Sequence, residues 1–522
     1  MTTGGLVIAR RTRGRLTANR AFATSALRVV LLVVVLAAWQ LAVSTANLGS
    51  LVLPPPIQAI SDGLQQLGTS GFWSMVGTTA ELALAASCGG IVLGGLAGIA
   101  LWKSGNVGRG IEELLVALYA TPTIIFYPIL LVLLGLDNWP VVVIGIPLAA
   151  IPTALGVHHA LGAVGDKLDR VSRSLSLRGI RKYRKVLLPA VAPLALPEVR
   201  VAAMFCTLGT IAVQFVDGSS GIGYGISQAY QRFDTAAMWG LFLDTLAGMV
   251  LLNIILTRLL GRSAAVGRGP RQERPTRRDE VVRRASLLGA ILVAVGAWAL
   301  LSTTTSTVAS PASAVQQLVT ISGGPLGSAV SSSLEALVFG FLAAAIVGLS
   351  VGYVLGRHPL LRAAYGDAVA ACFTVPTVII YPLFLGIFGV GETAKITIAA
   401  VSAVIPIAMV TSESIASVDP VLLKVADSLH CSRGQAARKI VVPAVLPQLL
   451  AGLRIGFGVA FIGVVVSEMF TSNRGLGVLA LTYYNQGNFG PLYGVITLII
   501  AVALVGTGLS MFIEGRIERR YE

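Results

Sequence analysis

The feature that most constrains this chain is a succession of long apolar runs, near 20 residues each, separated by short intervals that hold most of the charge. Coiled as a helix, a run of that length matches the hydrocarbon thickness of a bilayer. Inside lipid every backbone N–H and C=O must be satisfied within the structure, and a helix does so locally. Only 12% of the 522 residues are charged, and mean hydropathy is +0.81. So few charges cannot make a water-facing surface for a chain this long, which excludes a large soluble protein with buried helices.

The runs predict helices at 29–48, 75–100, 114–134, 139–158, 190–214 and 236–259, and again at 285–302, 329–355, 367–388, 393–412, 444–467 and 491–513. The expected fold class is an all-α polytopic membrane protein with about 12 transmembrane helices. Gly and Pro fall inside many of these runs, as membrane helices tolerate, and small residues let helices pack closely.

The second constraint is an internal repeat at a constant offset of 254 residues. It carries Pro122, Tyr127, Pro128 and Gly135 onto Pro376, Tyr381, Pro382 and Gly389, and segments 119–135 and 373–389 share seven identities in 17 positions. The same offset carries Lys185, Pro189, Ala190, Val191, Pro193 and Arg200 onto Lys439, Pro443, Ala444, Val445, Pro447 and Arg454, and Glu81 onto Glu335. Six helices per half return the chain to its starting side. The repeat is therefore direct, its halves related by an axis along the membrane normal, with a translocation path at their interface.

Charge placement orients the chain. Net charge is +15, which in a soluble protein would suggest nucleic acid, but here the basic residues flank apolar runs. With the N-terminus cytoplasmic, 34 of the 39 Lys and Arg fall in cytoplasmic segments; Arg232, Lys395 and Arg474 fall outside, and Arg200 and Arg454 lie within helices. Both termini are then cytoplasmic, and the chain is expected to be a multi-pass membrane protein. The six arginines of 10–28 followed by apolar 29–48 look like a signal peptide, but the run is long and an equivalent helix opens the second half, so a retained helix is expected. Five segments follow: a basic tail 1–28, a first membrane domain 29–260, an Arg-rich cytoplasmic linker 261–284 with eight arginines, a second membrane domain 285–514, and a tail 515–522.

The most informative polar segments are 159–189 and 413–443, each between the fourth and fifth helices of its half. Leu168, Val171 and Leu175 can share a helical face, as can Leu422, Val425 and Leu429. A surface loop with basic bias would satisfy composition alone; repetition at the same offset favours short amphipathic helices lying across the membrane face.

These segments carry a resemblance. Lys424-Val425-Ala426-Asp427-Ser428-Leu429-His430 followed by Val442-Pro443, and Arg170-Val171-Ser172-Arg173-Ser174-Leu175-Ser176 followed by Leu188-Pro189, resemble the cytoplasmic EAA-type loop of the membrane-spanning permeases of bacterial binding-protein-dependent ABC importers. Within that superfamily the chain is most similar to the nitrate, sulfonate and taurine permeases. The loops depart from the pattern at the acidic position (Lys424, Arg170) and at the glycine position (His430, Ser176). The Pro-rich runs 122–135 and 376–389 resemble the family's third helix. Ser467-Glu468-Met469 with Gly475-Leu476-Gly477 resembles its segment after the fifth helix, where the first half keeps Gly221 and Gly223 but has Gln214 in place of Glu468.

The resemblance implies an importer permease with both membrane domains fused, in a bacterial inner or plasma membrane. Two cytoplasmic ABC ATPase subunits would dock on the loops, using ATP and Mg, and an extracytoplasmic solute-binding protein or lipoprotein would deliver the solute. It implies coupling contacts at Val171, Leu175, Ser176, Leu177, Pro189, Val425, Leu429, His430, Cys431 and Pro443. Tyr127, Gln214, Tyr381, Glu468, Arg200 and Arg454 are the candidates for the translocation path or gating. Charge within a membrane helix is expensive and tends to be paired or functional.

The chain carries no GxxxxGK[ST] loop, GxSxG elbow or HExxH pair, and Cys88, Cys206, Cys372 and Cys431 are isolated. Neither a metal nor a bound cofactor, a nucleic-acid partner or an enzymatic activity of its own is expected; lipid is the surrounding medium. Gly218–Gly223 reads as an outside turn before a re-entering or interfacial segment. The alternative function is a secondary transporter driven by an ion gradient.

Overall fold

The computed structural model describes residues 3–521 except 46–52, 120, 136, 178, 261–276, 306 and 373–376. Most of the expected linker, 261–284, therefore lies outside the described residues, as does Pro376 of the repeat. The first half runs α1 (Thr3–Thr45), α2 (Pro56–Gln66), α3 (Ser70–Lys103), α4 (Asn106–Tyr119), α5 (Tyr127–Leu134), α6 (Trp139–Ser174), α7 (Ile180–Lys182), α8 (Leu188–Asp217), α9 (Ile222–Gln231) and α10 (Thr235–Leu260). The second runs α11 (Arg277–Thr304), α12 (Pro311–Ile321), α13 (Leu326–Arg357), α14 (Pro359–Cys372), α15 (Thr377–Phe388), α16 (Glu392–Ala416), α17 (Pro420–Ser428), α18 (Arg433–Ala436), α19 (Val442–Thr471), α20 (Leu476–Asn485) and α21 (Phe489–Tyr521). The order of the long helices repeats, as the offset requires.

Among the described residues, ten helices are long and apolar enough to cross a membrane, or eleven if α4 and the bent stretch 123–134 count as one span. The single helix expected over 114–134 is corrected here: α4 and the stretch after it meet at 80°. Pro122 has no N–H to donate and disfavours a helical residue before it. The chain re-enters through a 3-10 turn at Thr123–Phe126 before α5 begins, with Pro128 in its first turn. In the second half α14 ends at Cys372 and α15 begins at Thr377, and the residues between them lie outside the described ones.

Each half is built on one close helix pair. Gly90, Gly94 and Gly98 line the face of α3 that meets α6, and a Cβ on Gly94 would stand 2.3 Å from the Ala150 carbonyl oxygen. Gly348, Gly352 and Gly356 do the same for α13 against α16, where a Cβ on Gly352 would stand 2.6 Å from the Ala408 oxygen. Lipid supplies no hydrophobic drive between helices, so this backbone-to-backbone approach holds the pair through dispersion contacts.

The opening helix of each half crosses to the other half. Arg28 of α1 donates to the backbone oxygens of Ala363 and Ala364 in α14, at 3.0 and 3.1 Å. Reciprocally, Arg283 of α11 pairs with Glu113 of α4 at 2.9 Å, and Asn106 donates to Asp279. The two largest hydrophobic cores among the described residues each borrow from the other half. Val466 and Met469 join the first, and Ile125 and Ile129 join the second.

Candidate functional site

The two expected coupling loops share one backbone design. After Ser174, Leu175 donates its N–H to the Val171 carbonyl (3.1 Å) and Leu177 to the Ser172 carbonyl (2.9 Å). After Ser428, Leu429 donates to Val425 (3.0 Å) and Cys431 to Ala426 (3.0 Å). This is a paired C-terminal helix cap that needs one left-handed residue. Ser176 (φ 55°) and His430 (φ 49°) supply it. The glycine position of the resembled motif is thus explained by geometry, and both halves keep the geometry without the glycine.

The caps aim apolar side chains outward. Leu175 and Leu429 are 59% and 66% exposed, and Val171 and Val425 are also exposed, while Ser172 and Ala426 are buried beneath them. Pro189 and Pro443 sit in the first turn of α8 and α19. Without an N–H they cannot bond the carbonyl four residues back, and a π-helical turn precedes each, at Tyr183–Leu187 and Ala437–Val441.

The loops differ in how they join the membrane helices. In the first half α6 runs unbroken to Ser174, in place of the separate short helix expected after 158. In the second, Asp419 caps a new helix by accepting from the Val421 N–H at 2.8 Å, with Pro420 at its first position. The first half has Gly165-Asp166 at those positions and the backbone continues.

A seam between the halves is filled by aromatic side chains. Phe215 of α8 meets Phe470 of α19 edge-on, with centroids 5.8 Å apart, and Tyr381 of α15 packs on Phe470 at 5.5 Å. Tyr127 and Tyr381 are both buried, and the Tyr381 hydroxyl has no hydrogen-bond partner among the described residues. The seam is not symmetric: the offset pairs Phe215 with Met469 and Val216 with Phe470.

Next to this seam lies the largest difference between the halves. Glu468, near the end of α19, is 1% exposed. It accepts from the Ser333 hydroxyl (2.7 Å) and the Gly477 N–H (2.9 Å), and Ser333 accepts from the Leu476 N–H (2.9 Å). Lys395 of α16 is completely buried. Its ammonium reaches Glu392 at 2.7 Å and Glu468 at 3.7 Å, and donates to the Ser332 hydroxyl and to the Arg474 carbonyl (3.1 Å). Lys395 had read as an outside basic residue; the fold instead makes it the centre of a cluster joining α13, α16, α19 and the turn into α20.

In the first half Gln214 is equally buried. Its carbonyl oxygen accepts from Thr79 (2.9 Å) and the Gly223 N–H (3.4 Å), while its amide nitrogen has no partner among the described residues. Asn138, Val141 and Ser220 stand where the second half has Glu392, Lys395 and Arg474.

Arg200 and Arg454 lie elsewhere. Arg200 donates to Thr257 of α10 at 2.9 Å, and Arg454 pairs with Glu514 of α21 at 2.8 Å. Each ties the fifth long helix of its half to the sixth, and neither meets the aromatic seam. Glu81 and Glu335 face outward on α3 and α13.

A polytopic bundle of two directly repeated halves, with a filled seam between them and a matched outward-facing loop on each, defines a two-domain membrane transport unit. The model of the binding-protein-dependent transport system inner membrane component family matches residues 90–264 and 336–522, more than half of the chain, and the chain belongs to that family. It is a transport permease family, and the chain is a multi-pass membrane protein with two permease repeats. The chain is 30% identical over 207 residues to the taurine transport system permease protein of Escherichia coli (strain K12), covering 38% of this chain and 74% of that one. It is 31% identical over 188 residues to a nitrate import permease protein of Synechococcus elongatus, covering 36% and 67%. It is 31% identical over 194 residues to a putative aliphatic sulfonates transport permease protein of Bacillus subtilis (strain 168), covering 37% and 69%. Each match covers little more than a third of this chain, as a single permease unit set against two in tandem requires. These relatives support the ATP-driven importer and not the gradient-driven alternative.

Proposed function

We propose that this chain is the complete membrane path of an ATP-driven importer for a small oxyanion or aminosulfonate of the nitrate, sulfonate or taurine type. Residues 29–260 and 285–514 act as its two membrane domains. One cytoplasmic ATPase docks on each coupling loop, and an extracytoplasmic binding protein delivers the solute. The positive-inside distribution puts both termini and both loops in the cytoplasm.

The observation that carries the reading is the repeated cap. Ser176 and His430 turn the chain so that Leu175 and Leu429 stand exposed at the tips of two rigid loops. A bare leucine on a charged cytoplasmic loop fits a groove on a partner. Closure of two ATPases moves the loops, and α8 and α19, which begin just beyond them, carry that movement to Phe215 and Phe470 at the seam.

Purification from membranes should bring down an ATPase, and vesicles of the complex should take up solute with ATP. Uptake that persists without the ATPase and collapses with an ion gradient overturns the reading. Uptake of radiolabelled nitrate, taurine and an alkanesulfonate, each competed by the others, separates the solutes.

A further inference from the structure

The cluster around Lys395 has a neutral counterpart at every matched position, and the replacements go together. The charged side chains Glu392, Lys395 and Glu468 become Asn138, Val141 and Gln214, while Arg474, which contributes only its backbone carbonyl, becomes Ser220. A single charge lost by drift would leave its partners buried and unpaired; losing all of them together leaves a working neutral site. The two sites have the same task. Each holds the short helix following the seam, α9 or α20, through its first backbone N–H groups.

They do not hold equally. In the second half one buried ammonium joins two carboxylates, a hydroxyl and a backbone carbonyl, drawn from four elements. In the first half Val141 contributes only packing to α6. Asn138, just before α6, accepts a 3.4 Å hydrogen bond from the Ser220 hydroxyl in the turn before α9, and the Gln214 amide nitrogen has no partner among the described residues. An open depression of about 420 Å³ also lies against α9, lined in part by Met75, Thr78, Ser220, Tyr224, Gln228 and Arg232. It leaves α9 room to shift on that one side.

We propose that Lys395, with Glu392 and Glu468, is a positioning group that fixes the second half's side of the seam, so that the gate opens through displacement of α9 in the first half. Phe470 lies two residues beyond Glu468 and is held with it, whereas Phe215, adjacent to Gln214, moves with the neutral side. The access change is one-sided although the fold is two-fold. The assignment rests on the importer reading only for its trigger, ATP.

Two measurements test it. In a background with the four native cysteines replaced, spin labels are placed on Gln231→Cys with Ser104→Cys, and on the matched Asn485→Cys with His358→Cys. Distances are compared in the nucleotide-free and ATP–vanadate-trapped complex. The first pair should shift and the second hold; equal shifts, a shift of the second alone, or no shift overturn the proposal. Hydrogen exchange of the purified chain needs no ATPase and stays decisive if the importer reading fails. Amides of α9 should exchange at least tenfold faster than those of α20, and equal rates overturn the proposal. The variant Glu392→Asn/Lys395→Val/Glu468→Gln, which gives the second half the first half's residues, should bring α20 to the rate of α9. Lys395→Arg should keep α20 slow; a general packing defect would disturb both variants alike.

Discussion

The two halves share a fold, a loop and a seam, yet one end of the second half is held by buried charge and the same end of the first by neutral hydrogen bonds. The magnitudes separate them. A neutral hydrogen bond contributes about 0.5–1.5 kcal/mol net. A completed buried ion cluster has a small net value against an apolar equivalent, but breaking it costs about 3–5 kcal/mol, because the remaining charge stays buried and unpaired. The second half is therefore brittle at Lys395 in a way that the first half cannot be at Val141. A direct repeat does not need equal halves: once both lie in one chain, each position can change alone.

The largest expected effect attacks that difference. Lys395→Met leaves Glu468 without its cation and should destabilise the second half by about 3–5 kcal/mol. Thermal unfolding in detergent should show an early transition, and Val141→Met should show none. A common shift in both variants would erase the contrast. Next come the coupling loops. Leu429→Asp should lower ATPase retention on the order of tenfold, as expected for a central apolar anchor. Leu175→Asp should do the same by a smaller factor, and membrane insertion should be unchanged. Normal ATP-dependent uptake in both variants would remove the docking role.

A smaller contrast is available at the matched arginines. Arg454→Met breaks a part-buried ion pair with Glu514, whereas Arg200→Met breaks a hydrogen bond with Thr257. The first should lower stability by about 1–3 kcal/mol and the second by about 1 kcal/mol. The smallest effect tests the caps. His430→Gly and Ser176→Gly should each stabilise by about 0.5–1 kcal/mol, since glycine accepts the left-handed backbone without steric cost. His430→Val should destabilise by more than that, and a neutral result would show that the cap is not formed.

Much of this was legible in the sequence because membrane constraints are local. Apolar run length predicted the spans, the 254-residue offset predicted the order of the second half, and Leu175 and Leu429 were placed on their loops by spacing alone. The break after α4 was missed although Pro122 was read, because a proline in a membrane helix can be tolerated as well as terminal. Lys395 was missed for a different reason. A lysine three residues after Glu392 at a helix start reads as surface charge. The available signal was its company: Glu392, Lys395 and Glu468 all lose charge together at Asn138, Val141 and Gln214.

By itself the sequence determined the membrane class, the direct repeat and the loop positions, since each follows from hydropathy, charge and offset along one chain. Tertiary structure alone decided that α1 and α11 cross to the opposite half, that Phe215 and Phe470 meet, and that Lys395 lies between Glu392 and Glu468. Ser332 and Arg474, both bonded to Lys395, are far apart in the chain, and their approach depends on how α13, α16 and α19 pack. No local pattern records that packing, because a buried charge is stabilised by whatever the fold places around it.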